Sequence, residues 1–237
     1  MGAFTQTAST SLQSFDLRAR SVRELNQLLH SGSLAGGRMR ILHPDGRHAI
    51  AAGVDVSCEL EIDGHVGYYC AGMNRHATVR VRGNCGTGVA ENMMSGSVWI
   101  DGAASQAAGA TAHGGLLVIG GDAAARCGIS LKGAEIVVRG SVGHMSGFMA
   151  QTGTLLVCGD AGEALGDSLY EATLYVRGEV ASLGADCVER EVRPEHLAQI
   201  GDLLARAGID DASAEEFRRY GSARRLYNFQ IDNVGSY

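Results

Sequence analysis

Apolar and polar positions alternate over short runs in the middle of this 237-residue chain, and the runs return at a fixed interval. A glycine closes each run: Gly64, Gly83, Gly102, Gly121, Gly140, Gly159 and Gly178, every one 19 residues after the last. Four residues before them stand Leu60, Val79, Val98, Leu117, Ile136, Leu155 and Leu174. Two residues before stand Ile62, Val81, Ile100, Ile119, Val138, Val157 and Val176. Seven residues after them comes only alanine or glycine, from Ala71 to Ala185. Three columns in register make an internal repeat. Positions two apart on a strand share a face, so each run offers an aliphatic pair that one strand cannot bury alone. Coils stacked about 4.8 Å apart would close these pairs into a continuous interior. The pattern predicts an all-β solenoid, a right-handed parallel β-helix of about seven 19-residue coils over residues 58–190. The hand follows from the chirality of parallel crossovers. A left-handed hexapeptide helix would repeat at about 18 residues, and its pattern is absent.

A solenoid exposes strand edges and core at its ends and needs caps. Residues 1–57 are read as an amino-terminal cap with one short helix. In "SVRELNQLLHSG", Ser21 is the N-cap, Glu24 completes a capping box, Val22, Leu25, Leu28 and Leu29 are apolar, and Gly32 stops the helix. Residues 191–237 are read as a helical cap and docking tail. "PEHLAQIGDLLARAG" starts a helix at Pro194 and ends it at Gly208, with Leu197, Ile200 and Leu204 on one face. A third short helix is expected from Ser213, with Glu216 in capping-box position. The tail alternates Tyr227, Phe229 and Ile231 as a docked strand would. All of this surrounds one solenoid rather than forming further domains.

Composition sharpens the picture at two points. The chain has 34 glycines and 2 prolines, about twice the usual glycine share of about 7%. Glycine without proline points to many tight turns in an ordered structure. The net charge of −6 argues against nucleic acid or an anionic membrane as partner. No apolar run is long enough to span a bilayer, and the first residues lack a basic and apolar leader. The expectation is a cytoplasmic chain with reduced cysteines.

The stretch "GNCGTGVAENMMSG", Gly83 to Gly96, has the close glycines of a phosphate-binding turn after a strand. A dinucleotide fingerprint needs a helix next and an acidic residue about 20 positions on. Here another coil follows, with "SVWIDG" as its strand, so the glycines turn a solenoid. The six cysteines contain no CxxC pair. Cys70 and Cys127 share a coil position but lie three coils apart, roughly 14 Å, too far for a disulfide or shared metal. His65, His76, His113 and His144 fall at four different positions of the repeat and make no ladder. Asp63 and Asp101 precede corners with Arg82 between them, which reads as an outer charge ladder rather than an acid pair. No catalytic residue and no metal site is assigned. The segments "GHVGYYCAGMNRH", "AENMMSG" and "GHMSGFMAQTG" carry Met and Tyr outside the strand columns, as a second core wall or a partner-facing surface. Candidate partner contacts are Tyr68, Tyr69, Met73, Arg75, His76, Asn92, Met93, His113, His144, Tyr227 and Phe229.

These glycine-corner coils resemble the GXGXG domain, the carboxy-terminal β-helix of the glutamate synthase large subunit. A related domain occurs in a formylmethanofuran dehydrogenase subunit. The likeness rests on "GHVGYYCAGMNRHATVRVRGNCGTGVAENMMSG", "HGGLLVIGGDAAARCGISLKG" and "GHMSGFMAQTGTLLVCGDAGEALGDSLYEATLYVRGEVASLGADCVE". The flanks "FDLRARSVRELNQLLH" and "YGSARRLYNFQIDN" extend it, and within the family it is most similar to the stand-alone GXGXG subunit of N-methylglutamate synthase. The resemblance implies a hetero-oligomer in which this chain holds an amidotransferase-like subunit and an FMN-binding, glutamate-synthase-like subunit. FMN and an iron–sulfur cluster would belong to the latter, with no cofactor in this chain. The chain begins Met-Gly-Ala, without the amino-terminal cysteine nucleophile of the amidotransferase, and it lacks the strand–helix alternation of a (β/α)₈ barrel.

Overall fold

The computed structural model describes residues 12–225, so Tyr227, Phe229 and Ile231 lie outside the described residues. The chain forms β1 (Leu12–Asp16), α1 (Val22–His30), β2 (Arg38–Leu42), β3 (Glu59–Asp63), β4 (Thr78–Val81), β5 (Ser97–Ile100) and β6 (Leu116–Ile119). Then follow β7 (Lys132–Val138), β8 (Thr152–Val157), β9 (Thr173–Val176), β10 (Cys187–Arg190), α2 (Pro194–Arg206), a 3₁₀ turn (Ala214–Glu216) and β11 (Arg218–Ser222).

The aliphatic pairs stack as their period requires. β1 to β9 lie in sequence order in one parallel sheet, and from β3 to β9 each residue pairs with one 19 positions on, such as Val79 with Val98 and Ile136 with Leu155. The one register shift is between Lys132 and Glu135. Single parallel bridges link Val66, Cys85, Ala104, Ala123, Val142, Ala161 and Val180, two residues past each corner, and build a second wall. The columns four and two residues before the corners are buried in one continuous core. A third buried column stands ten residues after them: Asn74, Met93, Ala112, Leu131, Ala150 and Leu169. Its one polar member is satisfied, because Asn74 donates to Ala77 O (2.9 Å) and Ser95 O (3.2 Å) and accepts from Ala77 N (3.2 Å). The result is a parallel β-solenoid of about seven regular coils with small helical extensions.

The parallel ladder starts before residue 58. β1 pairs with β2 and β2 with β3, with Leu12 opposite Arg38 and Arg38 opposite Glu59, offsets of 26 and 21 residues. Those longer coils, one of which carries α1, fall off the 19-residue period. α1 starts at its Ser21–Glu24 capping box, and its Leu25 and Leu29 close the core.

The carboxy-terminal helix does not sit on the open end of the solenoid. α2 runs from Pro194 as expected, and Ile200, Leu203 and Leu204 pack on Leu116, Val118, Val137, Leu156 and Tyr175. These five face outward from the sheet. They form a second core, separate from the interior, under α2, Ile209 and Phe217. What closes the end is β11, which turns back antiparallel and inserts between β9 and β10.

Candidate partner-binding surface

The turn side of each coil is built from an alternation that leaves the backbone no slack. After every corner from Gly64 to Gly159, residues five, seven and nine positions on have positive φ, as in Tyr69 (60°), Ala71 (53°) and Met73 (57°), then Gly88 (71°), Ala90 (55°) and Asn92 (56°). Left-handed φ costs an L-residue roughly 1–2 kcal/mol. The compensation is visible in the hydrogen bonds, since alternate N–H groups reach alternate neighbours. Tyr69 N donates forward to Thr87 O (2.8 Å), Ala71 N backward to Ile50 O (2.9 Å), and Met73 N forward to Glu91 O (2.8 Å). The residue seven past the corner points inward, which explains its smallness: a Cβ on Gly109 would sit 2.5 Å from Ile136 Cδ1.

Side chains on these turns therefore form fixed longitudinal rows. Tyr68 and His144 share the row four past the corner, separated by 76 residues or four coils, about 19 Å. Met73 and Asn92 share the row nine past. Arg75, Met94 and His113 share the row eleven past, all exposed. The expected contacts among the described residues thus lie on the turn side of the coils but converge on no single point. Tyr68, Met73 and Met94 are the exposed apolar members, at 54%, 46% and 41%. His48 stacks on Tyr68 with ring centroids 4.0 Å apart. Asp55 lies 3.4 Å from Arg75 and 3.6 Å from His76. Thr111 donates to Asn92 Oδ1 (2.6 Å).

Met93 is a correction. It is fully buried in the column ten past the corner and offers nothing to a partner. Neighbouring Met94 takes that place on the surface. The "MM" pair hides this, because adjacent residues on the turn face opposite ways.

The outer face of β2 to β5 is electrostatic. Arg38 pairs with Glu59 (2.7 Å), Arg40 with Asp63 (2.7 Å), Arg82 with Glu61 (2.9 Å) and Asp101 (3.2 Å), and Arg80 with Asp101 (2.9 Å). The hydrogen bond from Arg82 holds the Glu61 carboxyl below the usual carboxylate range. Each such exposed pair contributes under about 1 kcal/mol, so the ladder sets register and solubility more than stability. A polar ladder runs along the corners as well. At five of the seven corners the side chain one past the glycine accepts from a backbone N–H one coil on: His65 from Asn84 (2.9 Å), Asn84 from Ala103 (2.9 Å), Asp122 from Ser141 (2.8 Å), Ser141 from Asp160 (3.0 Å) and Asp160 from Glu179 (2.8 Å).

The stretch after Gly83 carries no helix; it forms turns and leads into β5. All six cysteines are free and buried. Burial pushes Cys70 and Cys127 up to about 12 and Cys58 up to about 11, far from the thiolate form that binds metal or attacks. Among the described residues no three or more His, Cys, Asp or Glu side chains converge as metal ligands would.

Protein GlxC of Rhizobium meliloti (strain 1021) is 58% identical over 224 residues, which are 94% of this chain and 98% of that protein. The chain belongs to the GlxC family. No family model and no solved structure matches it. Since the match takes in nearly all of GlxC, that relative is itself a chain of this size, without a large additional domain. Among the described residues, no helix is long and apolar enough to cross a membrane.

Proposed function

We propose that the chain is the non-catalytic scaffold subunit of a glutamate-synthase-like complex, specifically an N-methylglutamate synthase. That complex converts methylamine and glutamate to N-methylglutamate and ammonia. The scaffold bridges an amidotransferase-like subunit and an FMN- and iron–sulfur-bearing subunit in the cytoplasm. The observation that supports this reading most is the turn side of the coils. Tyr68, Met73 and Met94 are held exposed on a backbone fixed by inter-coil hydrogen bonds. Apolar and aromatic anchors on a rigid support lose little entropy when a partner covers them. Met is adaptable, and Tyr brings area with a polar tip. The GXGXG resemblance supplies the class of complex. An iron–sulfur cluster fits poorly in this chain, whose thiols are buried and spread over different coils, and the reading places it in a partner.

The test is co-expression with the amidotransferase-like and flavin-binding subunits of the same host. The three chains should co-elute with a flavin spectrum and form N-methylglutamate from methylamine and glutamate. A Tyr68→Asp, Met73→Asp, Met94→Asp variant should keep its melting temperature and fail to co-elute. Methylamine-dependent turnover by this chain alone, or unchanged assembly of the triple variant, contradicts the reading.

A further inference from the structure

The carboxy-terminal end of the sheet's outer face holds an arrangement that neither the solenoid nor the scaffold reading uses. Arg219 of β11 stands in cross-strand register between Tyr175 of β9 and Arg190 of β10. Like charges directly opposite on neighbouring strands repel. Of the acids beside them, Glu171 pairs with Arg224 (3.0 Å) and Glu191 with Arg193 (3.4 Å), and Glu195 lines the opposite wall. Among the described residues neither Arg190 nor Arg219 forms a carboxylate pair. Arg190 donates to the Ser222 carbonyl and Arg219 to the Glu191 carbonyl (3.3 Å). The Nε of Arg219 is buried with no hydrogen-bond partner among the described residues. A buried donor left without an acceptor is costly, and native structures contain few.

Both arginines line a cleft of about 610 Å³, a volume suited to a small organic ligand. The amino-terminal turn of α2 forms another wall through Arg193, Glu195 and His196, and it brings the positive end of a 13-residue helix. His196 is held below its usual range, first by burial and then by the charge of Arg219, so near neutral pH it is an uncharged imidazole. Its Nδ1 accepts from Arg193 N (3.0 Å), which leaves Nε2 as the protonated, donating nitrogen. The cleft therefore gathers two guanidiniums that pair with no carboxylate, one imidazole donor and a helix amino terminus that also carries Glu195.

We propose that this cleft binds a small oxyanion, a carboxylate or phosphate that bridges Arg190 and Arg219. Planar guanidinium forks match both groups bidentately. A bound anion turns the repulsion between the strands into two attractions. The inference does not depend on the scaffold reading.

Calorimetric titration of the full chain at low ionic strength tests it, with sodium glutarate in one arm and inorganic phosphate in the other. Sodium chloride at matched ionic strength is the blank. Saturable binding of either anion above the blank is expected, and the arm that binds assigns the source. Arg190→Gln and Arg219→Gln should each weaken it about tenfold, while Arg126→Gln, exposed on the turn side, should not. Ligand-free Arg219→Gln should melt no lower than the parent, because it removes a like-charge neighbour; a purely structural arginine would lower the melting temperature. Should that variant fold poorly, Arg190→Gln carries the comparison. Failure of both to fold, silence in both arms, or binding unchanged in both variants overturns the site.

Discussion

At the corners of the coils glycine is required by contact rather than by dihedral angle. Of the seven, only Gly64 has positive φ (+132°). The others stack backbone on backbone, with Gly102 N donating to Gly83 O (3.0 Å) and Gly121 N to Gly102 O (2.9 Å). A Cβ on Gly83 would lie 2.7 Å from the carbonyl carbon of Gly64, which cannot give way as a flexible side chain would. Gly83→Ala is expected to cost about 1–3 kcal/mol by overpacking. Gly201, inside α2 with open space around it, is the contrast: Gly201→Ala should stabilise by about 0.5–1 kcal/mol. Urea unfolding of both variants measures this, and a harmless Gly83→Ala would mean that the coils are not in contact there. The cysteines give a second expectation. Burial raises Cys70, Cys127 and Cys187 to about 12 and Cys58 and Cys158 to about 11, against an ordinary 9.0. Such thiols favour the folded chain fully below pH 9, and the contribution is lost as pH rises toward 11–12, because unfolded thiols ionise first. The melting temperature should fall between pH 9 and 11, and iodoacetamide should leave the folded chain unlabelled at pH 8. Rapid alkylation of Cys127 there would place that column outside the core.

Among the elements, α2 shows how much of the fold could be read and where reading stopped. Its limits are legible from Pro194 and Gly208, but its docking site is written in the strands and not in the helix. The signal lay in the column three residues before each corner: Glu61, Arg80, Trp99, Val118, Val137, Leu156 and Tyr175. The first two are charged and the last four apolar, which marks where an outward face stops meeting water and starts meeting a helix. The inward columns carry the period, and this one breaks it. β1, β2 and β11 escaped for related reasons, two lying in longer coils and one running antiparallel, where no 19-residue column reaches. The turn-side rows were half legible: the Met and Tyr positions stood out, while the alternation that buries Met93 and exposes Met94 exists only once the turn geometry is known. Leu203 tests the packing of α2. It is fully buried in the outer core, and Leu203→Ala should cost about 2–5 kcal/mol through lost burial and a residual cavity. The solenoid interior shares no side chain with this site, so helix and sheet signals in circular dichroism should survive at low temperature. A Leu203→Ala chain as stable as the parent would mean that α2 rests on the sheet without packing into it.

As a whole the molecule is a one-dimensional stack, and its stability should behave as a sum over coils and their interfaces. Each coil from β3 to β9 meets its neighbours through the same columns, so a whole repeat can be removed without breaking the register. Residues 65–83 are the coil to choose, because α2 packs on β6 to β9 and leaves the face of β4 uncovered. Their excision joins Gly64 to Asn84 and sets β3 against β5, with Leu60 and Ile62 opposite Val98 and Ile100 as they now stand opposite Val79 and Val81. Asn84 then follows a corner glycine as His65 did, so the polar ladder closes again. The lost terms are one coil's burial and the two arginines Arg80 and Arg82, which sets Asp63 opposite Asp101 and leaves Glu61 without its arginine along the outer face, at a modest cost. Deleting residues 65–74 instead removes about half a turn. It sets the turn columns against strand columns and brings left-handed backbone under β5, where no N–H finds its carbonyl one coil away. The 19-residue deletion should remain soluble, keep a cooperative melt and retain the β-sheet circular dichroism of the parent per residue, while the 10-residue deletion aggregates. Preservation of the shorter deletion over the longer one would mean that the coils do not stack as independent, interchangeable layers.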